Sequence, residues 1–403
     1  MEQNTITNNL NEDDYGICEE CGNENTDEYW CLQCNSQRFQ QNFGNWSSGN
    51  KDLDEIIQES QSNCTGAYSF VEWVPYSKFE DVKYIDKGGF GKIYSAIWKE
   101  GPINGWDIQQ KQWERSNNEE VALKSLNNSQ NITTEFLNEF KTYSKCGYSS
   151  IVPCLGITQD PETNNYMFVM QFMKGGNLRN FLKSNFFELS WLDKLKNLFS
   201  DETGISKNGK QKVFGVIPYI APEVLSGDDY LKASDVYGFA MVMFEILTGI
   251  PPFYDIPHDK DLAFKICNGY RPEIPSHIAI PRLLVDIMKR CWDAKSEQRP
   301  TSKELFGDFY DFKTYIEDEV KESELYKQIE ECNRLNLTNS VNNNNTNNLT
   351  SYETHPSAIY TSRCINFKNL PKPKNLNEKD DKNTNELTTK DYQITEEFVI
   401  EIP

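Results

Sequence analysis

Two hydrophobic periods follow one another along this chain, and their order limits the folds open to it. Residues 82–85, 92–98, 120–126, 151–158 and 166–173 read as strands, the last two as nearly continuous apolar runs. One stretch in this half, 134–144, instead places Phe136, Phe140 and Tyr143 on a single helix face. After Gly175-Gly176-Asn177 the period is helical, over about 177–184, 190–199, 230–249, 260–268, 280–292 and 301–315. Strands first and helices afterwards predict an α+β fold of two lobes unlike in class.

The flanks read differently. Residues 1–15 are polar and expected to be disordered. Residues 16–36 hold clustered cysteines, and 37–79 read as a connector with a short helix at 52–59 and the aromatic stretch Val71-Glu72-Trp73-Val74-Pro75-Tyr76. The two-lobed domain occupies 80–315, and 316–334 extends it by a helix. From 335 the composition turns to Asn, Thr, Ser and Lys, with an Asn run at 342–345. Such a segment buries too little apolar surface to offset its chain entropy, so 335–403 is expected to be a disordered tail.

The formal charge of −20 argues against nucleic acid and anionic membrane as partners, since both repel an acidic surface. The longest apolar run, 236–247, is too short to span a bilayer and contains Glu245. The first residues are polar and acidic, unlike a signal peptide. Seven of the eleven cysteines are scattered singly, as in a reducing compartment, so cytoplasm or nucleus is the expected location.

Three features of the β-rich half form a series. Asp86-Lys87-Gly88-Gly89-Phe90-Gly91-Lys92-Ile93 joins two strands, and glycines there let backbone approach phosphate. Val121-Ala122-Leu123-Lys124 is an alternating strand ending in a lysine. Phe136-Leu137-Asn138-Glu139 puts a carboxylate on the apolar side of a helix, where it needs a cation, and Lys124 is the natural partner. Taken singly these features read as a turn, a surface lysine and a helix acid; their joint occurrence in this order and spacing is a small coincidence.

This series resembles the protein kinase fold over about 80–315, with a β-rich N-lobe and a helical C-lobe. The resemblance implies an ATP site. Gly88 and Gly91 match the second and third glycines of the phosphate-covering loop, while Asp86 stands where the first belongs. Lys124 matches the phosphate-gripping lysine and Glu139 its helix partner. Met170 resembles the residue at the back of the adenine pocket, with Gln171, Phe172 and Met173 as the hinge. Ala221-Pro222-Glu223 closes an activation segment, Arg299 is the implied ion-pair partner of Glu223, and Asp235 starts the central helix. Tyr219 before Ile220-Ala221-Pro222-Glu223 is more like serine/threonine than tyrosine kinases. The whole, with its Cys-rich N-terminus and Trp73-Val74-Pro75-Tyr76 lead-in, is similar to the tyrosine-kinase-like serine/threonine kinases expanded in arbuscular mycorrhizal fungi.

One block of the family pattern has no counterpart. The helix at 190–199 and the segment from Val213 flank a gap in which neither His-Arg-Asp nor Asp-Phe-Gly occurs. The three histidines, His258, His277 and His355, all lie beyond it. Absent with the block are the catalytic Asp and the Asn and Asp that hold Mg²⁺ in the family, so no catalytic residue is assigned and ATP binding is expected to be weak. Asp201 is the one acid placed to substitute as a metal ligand, though a solvated loop residue is the plainer reading; Thr203 and Ser206 occupy activation-segment territory. Asp308-Phe309-Tyr310 lies too far along to replace the metal motif. With part of its cover gone, the helical lobe is expected to pack poorly around 236–247 and 287–292. Two functions fit: a catalytically deficient binding or scaffold protein, or an incomplete gene product or splice form of an active ATP-dependent Ser/Thr kinase.

Cys18-Glu19-Glu20-Cys21 and Cys31-Leu32-Gln33-Cys34 form paired Cys-x-x-Cys motifs, and four thiolates suit tetrahedral Zn²⁺. Gly22 and Asn35 after each pair fit the tight turns of a small zinc-ribbon-like module that is structural rather than catalytic and could dock other proteins. Reduced spectators or a redox pair are the alternatives for the same cysteines.

Overall fold

The computed structural model describes residues 15–88, 91–126, 129–143, 152–199, 213–342 and 352–376. Helices α1 (Leu32–Asn42) and α2 (Lys51–Ser62) precede β1 (Glu72–Trp73), β2 (Phe79–Gly88) and β3 (Gly91–Trp98). A separate hairpin, β4 (Ile103–Asp107) and β5 (Gln112–Arg115), leads to β6 (Glu119–Leu126), α3 (Thr134–Tyr143), β7 (Cys154–Gln159) and β8 (Tyr166–Gln171). The main sheet runs β1-β7-β8-β6-β3-β2, antiparallel except where β1 lies parallel to β7. There Gly156 faces Glu72, and an added Cβ would sit 2.4 Å from the Glu72 carbonyl oxygen, so only glycine lets these strands approach.

The pleat divides the lobe's apolar residues between two faces. Val121, Leu123 and Val169 bury one way with Phe79, Ala96 and Trp98. Ile157 and Phe168 bury the other way, against Phe136 and Phe140 of α3. The fully buried Leu53 and Ile57 of α2 join this second cluster. They stand one turn apart on a helix that starts where the Asn50 side chain accepts the Leu53 N–H, and that carries Asp52 and Asp54 in its first turn. The expected short helix at 52–59 is therefore present, but 37–79 is not a mere connector: α2 is part of the strand lobe's core.

The helical lobe begins at α4 (Leu178–Asn185), where Asn177 caps the Asn180 N–H, and continues with α5 (Trp191–Phe199). After the short strand β9 (Val213–Gly215) come α6 (Pro222–Leu225), α7 (Lys232–Thr248), α8 (Lys260–Cys267), α9 (Arg282–Cys291), α10 (Ser302–Glu317) and α11 (Glu324–Asn342). Helix α7 stops at Gly249 in the left-handed region, φ 70°, which glycine adopts without penalty. Around α7 the lobe closes one continuous core: Tyr237, Ala240, Met241, Met243 and Leu247 are fully buried. The expected loss of cover is not found among the described residues. Leu195 and Leu198 of the short α5 still reach this core, as do Leu305 and Phe309 of α10 and Leu325 and Ile329 of α11.

The expected disordered tail is corrected over 335–342 and 352–376, the rest of 335–403 lying outside the described residues. Helix α11 runs through 335 to Asn342, and residues 352–376 lie packed on the helical lobe, with strand β10 (Arg363–Ile365) paired antiparallel to β9. Ile365 is buried in the lobe's core, with Phe367 and Leu370 against it. A segment that borrows hydrogen bonds and pockets from a preformed lobe has no need of the apolar density a self-standing element requires.

Candidate functional site

The glycine-rich turn and the lysine strand meet side by side. Gly88 pairs with Gly91 across the β2–β3 turn, and Ile93 pairs with Lys124 on β6. Alternation on β6 sends Val121 and Leu123 to one face and Lys124 to the other, where its Nζ lies 5.9 Å from the centre of the Phe168 ring. That face is the one α3 covers, so Lys124 and the helix bearing Glu139 share a side of the sheet. The Glu139 side chain lies outside the described residues, as do Asp201, Thr203 and Ser206. Asp86 is exposed, and its carboxylate accepts the Lys87 N–H at 2.7 Å.

At the exit of the strand lobe Met170 pairs with Ala122 and packs against the Phe168 cluster. Gln171 pairs with Val121 and donates its N–H to Pro153 at 3.1 Å. Met173 is exposed and opens a turn closed by the Gly176 N–H at 2.9 Å. The pairing thus sets Met170 on the Lys124 face of the sheet and Gln171 on the Val121 face.

In the helical lobe the expected ion pair is formed. Arg299 grips Glu223 with two parallel hydrogen bonds of 2.8 and 2.7 Å, and Ser234 donates to the same carboxylate at 2.8 Å. Burial alone would raise the Glu223 pKa; the Arg299 hydrogen bond and charge outweigh it and hold it below the ordinary value. Asp235 accepts a hydrogen bond from Tyr230 near the start of α7. Asp308 lies on α10, where it pairs with Arg290 at 3.0 Å, a surface ion pair rather than a metal ligand.

A second network was not visible in the sequence. Arg179 of α4 reaches Glu245 of α7 at 3.0 Å, Tyr219 donates to the same carboxylate at 2.5 Å, and the Arg179 guanidinium lies 3.8 Å from the Tyr360 ring centre. A buried carboxylate inside an apolar run needs such partners, so Glu245 carried the signal that something cationic must face it.

The four cysteines converge. The thiol sulfurs of Cys18, Cys21, Cys31 and Cys34 all lie within 4.8 Å of one another. The first pair sits on a turn in which the Gly22 N–H bonds back to Cys18 at 2.9 Å, with Gly22 at φ 73°. The second pair is not on a matching turn: Cys31 is the N-cap of α1, and Cys34 and Asn35 lie on that helix. Asn35 is buried and accepts from Arg38 at 2.6 Å. The Asn23 N–H lowers the Cys21 pKa to about 7, while burial raises those of Cys31 and Cys34. A four-thiol donor set at this spacing fits a tetrahedral soft metal.

The family model described as "Protein tyrosine and serine/threonine kinase" matches residues 79–200 and 196–309. The chain belongs to the protein kinase family. Similar kinases include receptor-interacting serine/threonine-protein kinase 4 of Mus musculus, 28% identical over 61% of this chain and 35% of that protein. Serine/threonine-protein kinase VIK of Arabidopsis thaliana is 26% identical over 55% of this chain and 57% of its own length. Tyrosine-protein kinase SPK-1 of Girardia tigrina is 26% identical over 55% and 50% respectively. The chain spans less than two thirds of each of these relatives. In kinase terms β2–β8 with α3 form the N-lobe and α4–α11 the C-lobe. Among the described residues no helix is long and apolar enough to cross a membrane.

The N-terminal segment is built onto this kinase N-lobe rather than hanging from it. Trp30 is fully buried, donates to the Cys64 carbonyl at 2.9 Å, and stacks on Phe70 and Trp113. Phe39 of α1 stacks on Trp113 at 4.6 Å, and Arg38 lies over Trp106 at 4.2 Å. The β4–β5 hairpin, an insert whose Trp and Gln content gave no strand signal, supplies both tryptophans. Arg115 fastens it to β1 through Glu72 at 2.5 Å.

Proposed function

We propose that this chain is a serine/threonine-type kinase relative of the tyrosine-kinase-like group that binds adenine nucleotide in its N-lobe but acts by binding rather than by phosphotransfer. The observation that carries this reading is a length. Helix α5 ends at Phe199 and β9 begins at Val213, so only residues 200–212 separate them. No His-Arg-Asp or Asp-Phe-Gly falls between. The family match comes in two pieces that meet here, at 196–200, which supports the loss of an internal block. Without it the chain lacks the base that orients the substrate hydroxyl and the pair that holds Mg²⁺ between phosphates.

The retained parts have assigned roles in this reading. The backbone of Gly88 and Gly91 would cover phosphate, Lys124 would grip it with Glu139 holding the lysine, and Met170, Gln171 and Met173 would wall the adenine. Cys18, Cys21, Cys31 and Cys34 would hold a structural Zn²⁺, whose chemistry is cross-linking of the chain. A base alone typically contributes ~10²–10⁴-fold, so transfer should fall to background. The test is a radiolabelled phosphotransfer assay beside a Lys124→Met control, with nucleotide titrations at zero and millimolar Mg²⁺. Weak, Mg²⁺-insensitive nucleotide binding lost in Lys124→Met, with no transfer, is expected. Mg²⁺-dependent transfer that vanishes in the control would overturn the reading.

A second reading rests on the same junction: the good motifs on both sides fit an internal segment removed from the transcript of an active kinase. Sequencing transcripts across the Phe199–Val213 junction separates the two, because a longer product encoding the loop would make this chain a splice form or an incomplete gene product.

A further inference from the structure

Residues 352–376 hold themselves to the C-lobe in the way a bound peptide does. Apart from β10 the segment has no strand or helix. Its contacts come in three groups. First, the His355 N–H donates to the Tyr254 carbonyl at 2.8 Å, and the Ser357 carbonyl accepts the His258 N–H at 2.9 Å. The His258 ring bridges the carbonyls of Ile359 and Phe253 at 2.9 and 3.0 Å. Second, Tyr360 is held in a specific seat: its hydroxyl donates to Pro252 at 2.9 Å, the Arg179 guanidinium covers one side, and the His258 ring meets it edge-on at 4.7 Å. Three residues on, Arg363 donates to the His258 carbonyl, and two further on, Ile365 is buried in the lobe's core. Third, the Lys374 N–H donates to Cys267 at 2.9 Å, and the Asn375 amide bonds Ala294 and Asp293 at 3.0 Å each.

Between the first and third groups the segment adds a strand to β9, with Arg363 opposite Gly215, Cys364 opposite Phe214 and Ile365 opposite Val213. Among the described residues β10 is the sole sheet partner of β9. Main-chain pairing along an edge, with pockets for spaced side chains, is how folded domains take up extended peptides. Moreover β9 runs directly into the turn at Ile217–Tyr219 and the anchored Glu223, so the occupied edge belongs to the chain's activation segment.

We propose that this face of the C-lobe is a docking groove for an extended peptide bearing an aromatic residue, an arginine three positions later and an aliphatic residue two beyond that. Residues 352–376 are its tethered occupant, and a partner segment of that pattern enters only when the strap leaves. This rests on the contacts of residues 352–376 with the C-lobe and not on whether the chain transfers phosphate. Covalent connection to the chain makes the strap's binding intramolecular, so an untethered competitor meets a groove already filled.

The test uses the full chain with a protease site placed within 343–351, cut under native conditions, and a fluorescent synthetic peptide of residues 352–376. Uncut protein should take up no peptide. Cut protein should exchange its strap and bind the peptide saturably. Peptides carrying Tyr360→Ala or Ile365→Asp should bind at least about tenfold more weakly, and uncut protein carrying Ile365→Asp in its own strap should accept the wild-type peptide while keeping its helical circular dichroism. A cut chain that never releases its strap, or a lobe that unfolds when the strap leaves, would show it to be a permanent part of the domain and overturn the proposal. So would a peptide that binds equally well with either substitution. Loss of nucleotide binding in Lys124→Met leaves all these outcomes unchanged, which keeps this test separate from that of the kinase reading.

Discussion

Lys194 shows how a single residue sets a cost that the fold carries elsewhere. Its ammonium is buried on α5, 3.9 Å from the Phe186 ring centre and 4.8 Å from that of Trp191. Burial lowers its pKa from 10.5 to about 8. The unfolded chain therefore binds more protons between those values, and stability rises with pH across that window, while below about pH 8 the full cost is present. The two aromatic faces return ~0.5–2 kcal/mol, less than the roughly 3 kcal/mol that such a shift represents. Lys194→Met should consequently stabilise the protein at pH 7 by about 1–3 kcal/mol and abolish the rise between pH 8 and 10.5. Denaturant titrations of both proteins across pH decide it: a less stable variant at pH 7 would mean the rings outweigh desolvation. The sequence showed the lysine in a helical pattern but not its burial, because burial of that face depends on Phe186, the residue that caps the end of the preceding helix. By contrast Glu223 and Arg299 were legible, since their motifs fix both partners.

Among elements, those with a period were readable and those defined by partners were not. Strands β2, β3 and β6 follow the alternation of their residues, β7 and β8 a continuous apolar run, and helices α3–α5 and α7–α10 helical spacing. The β4–β5 hairpin and the strap do not, because each is stabilised by a few long-range contacts spaced without rhythm; α2 has helical spacing in Leu53, Ile57 and Gln61, but the surface it covers lies far along the chain. The N-terminal segment carries a prediction at this scale. If the four thiols hold Zn²⁺, purified protein contains about one equivalent, and Cys18→Ser or Cys31→Ser loses it. Because Arg38 and Phe39 lie on Trp106 and Trp113, chelation should remove hydrogen-exchange protection from α1 and from β4–β5 together. Loss confined to α1 would mean the aromatic contacts do not couple them; elemental analysis without metal would exclude the site.

At the scale of the whole molecule, the absence of His-Arg-Asp and Asp-Phe-Gly from the sequence suggested a loose C-lobe, and the packing of the described residues argues otherwise. Helix α7 is covered by α5, α9, α10 and the turn before α6, and Ile365 supplies apolar area from far along the chain. Each Å² of apolar surface so covered contributes ~25 cal/mol. Amides of α7 should then exchange as slowly as those of β6 and β8, a comparison one hydrogen-exchange experiment makes directly. Markedly faster exchange in α7 would restore the expectation of a weakened lobe. The two-lobe architecture was legible because it follows from period alone. The closure of the second lobe was not, because it is completed by a segment whose composition is that of a loop.

The pairing of β9 with β10 also has a consequence in time. The two strands are separated by about 150 residues, from Gly215 to Arg363. A ribosome adding roughly 5–20 residues per second needs about 8–30 s to cross that distance. Throughout that interval the nascent lobe presents β9 as a bare edge, the kind of surface on which neighbouring chains pair. Slow codons or stalls between these strands would lengthen the exposure, whereas a chaperone that holds extended segments would find its target here.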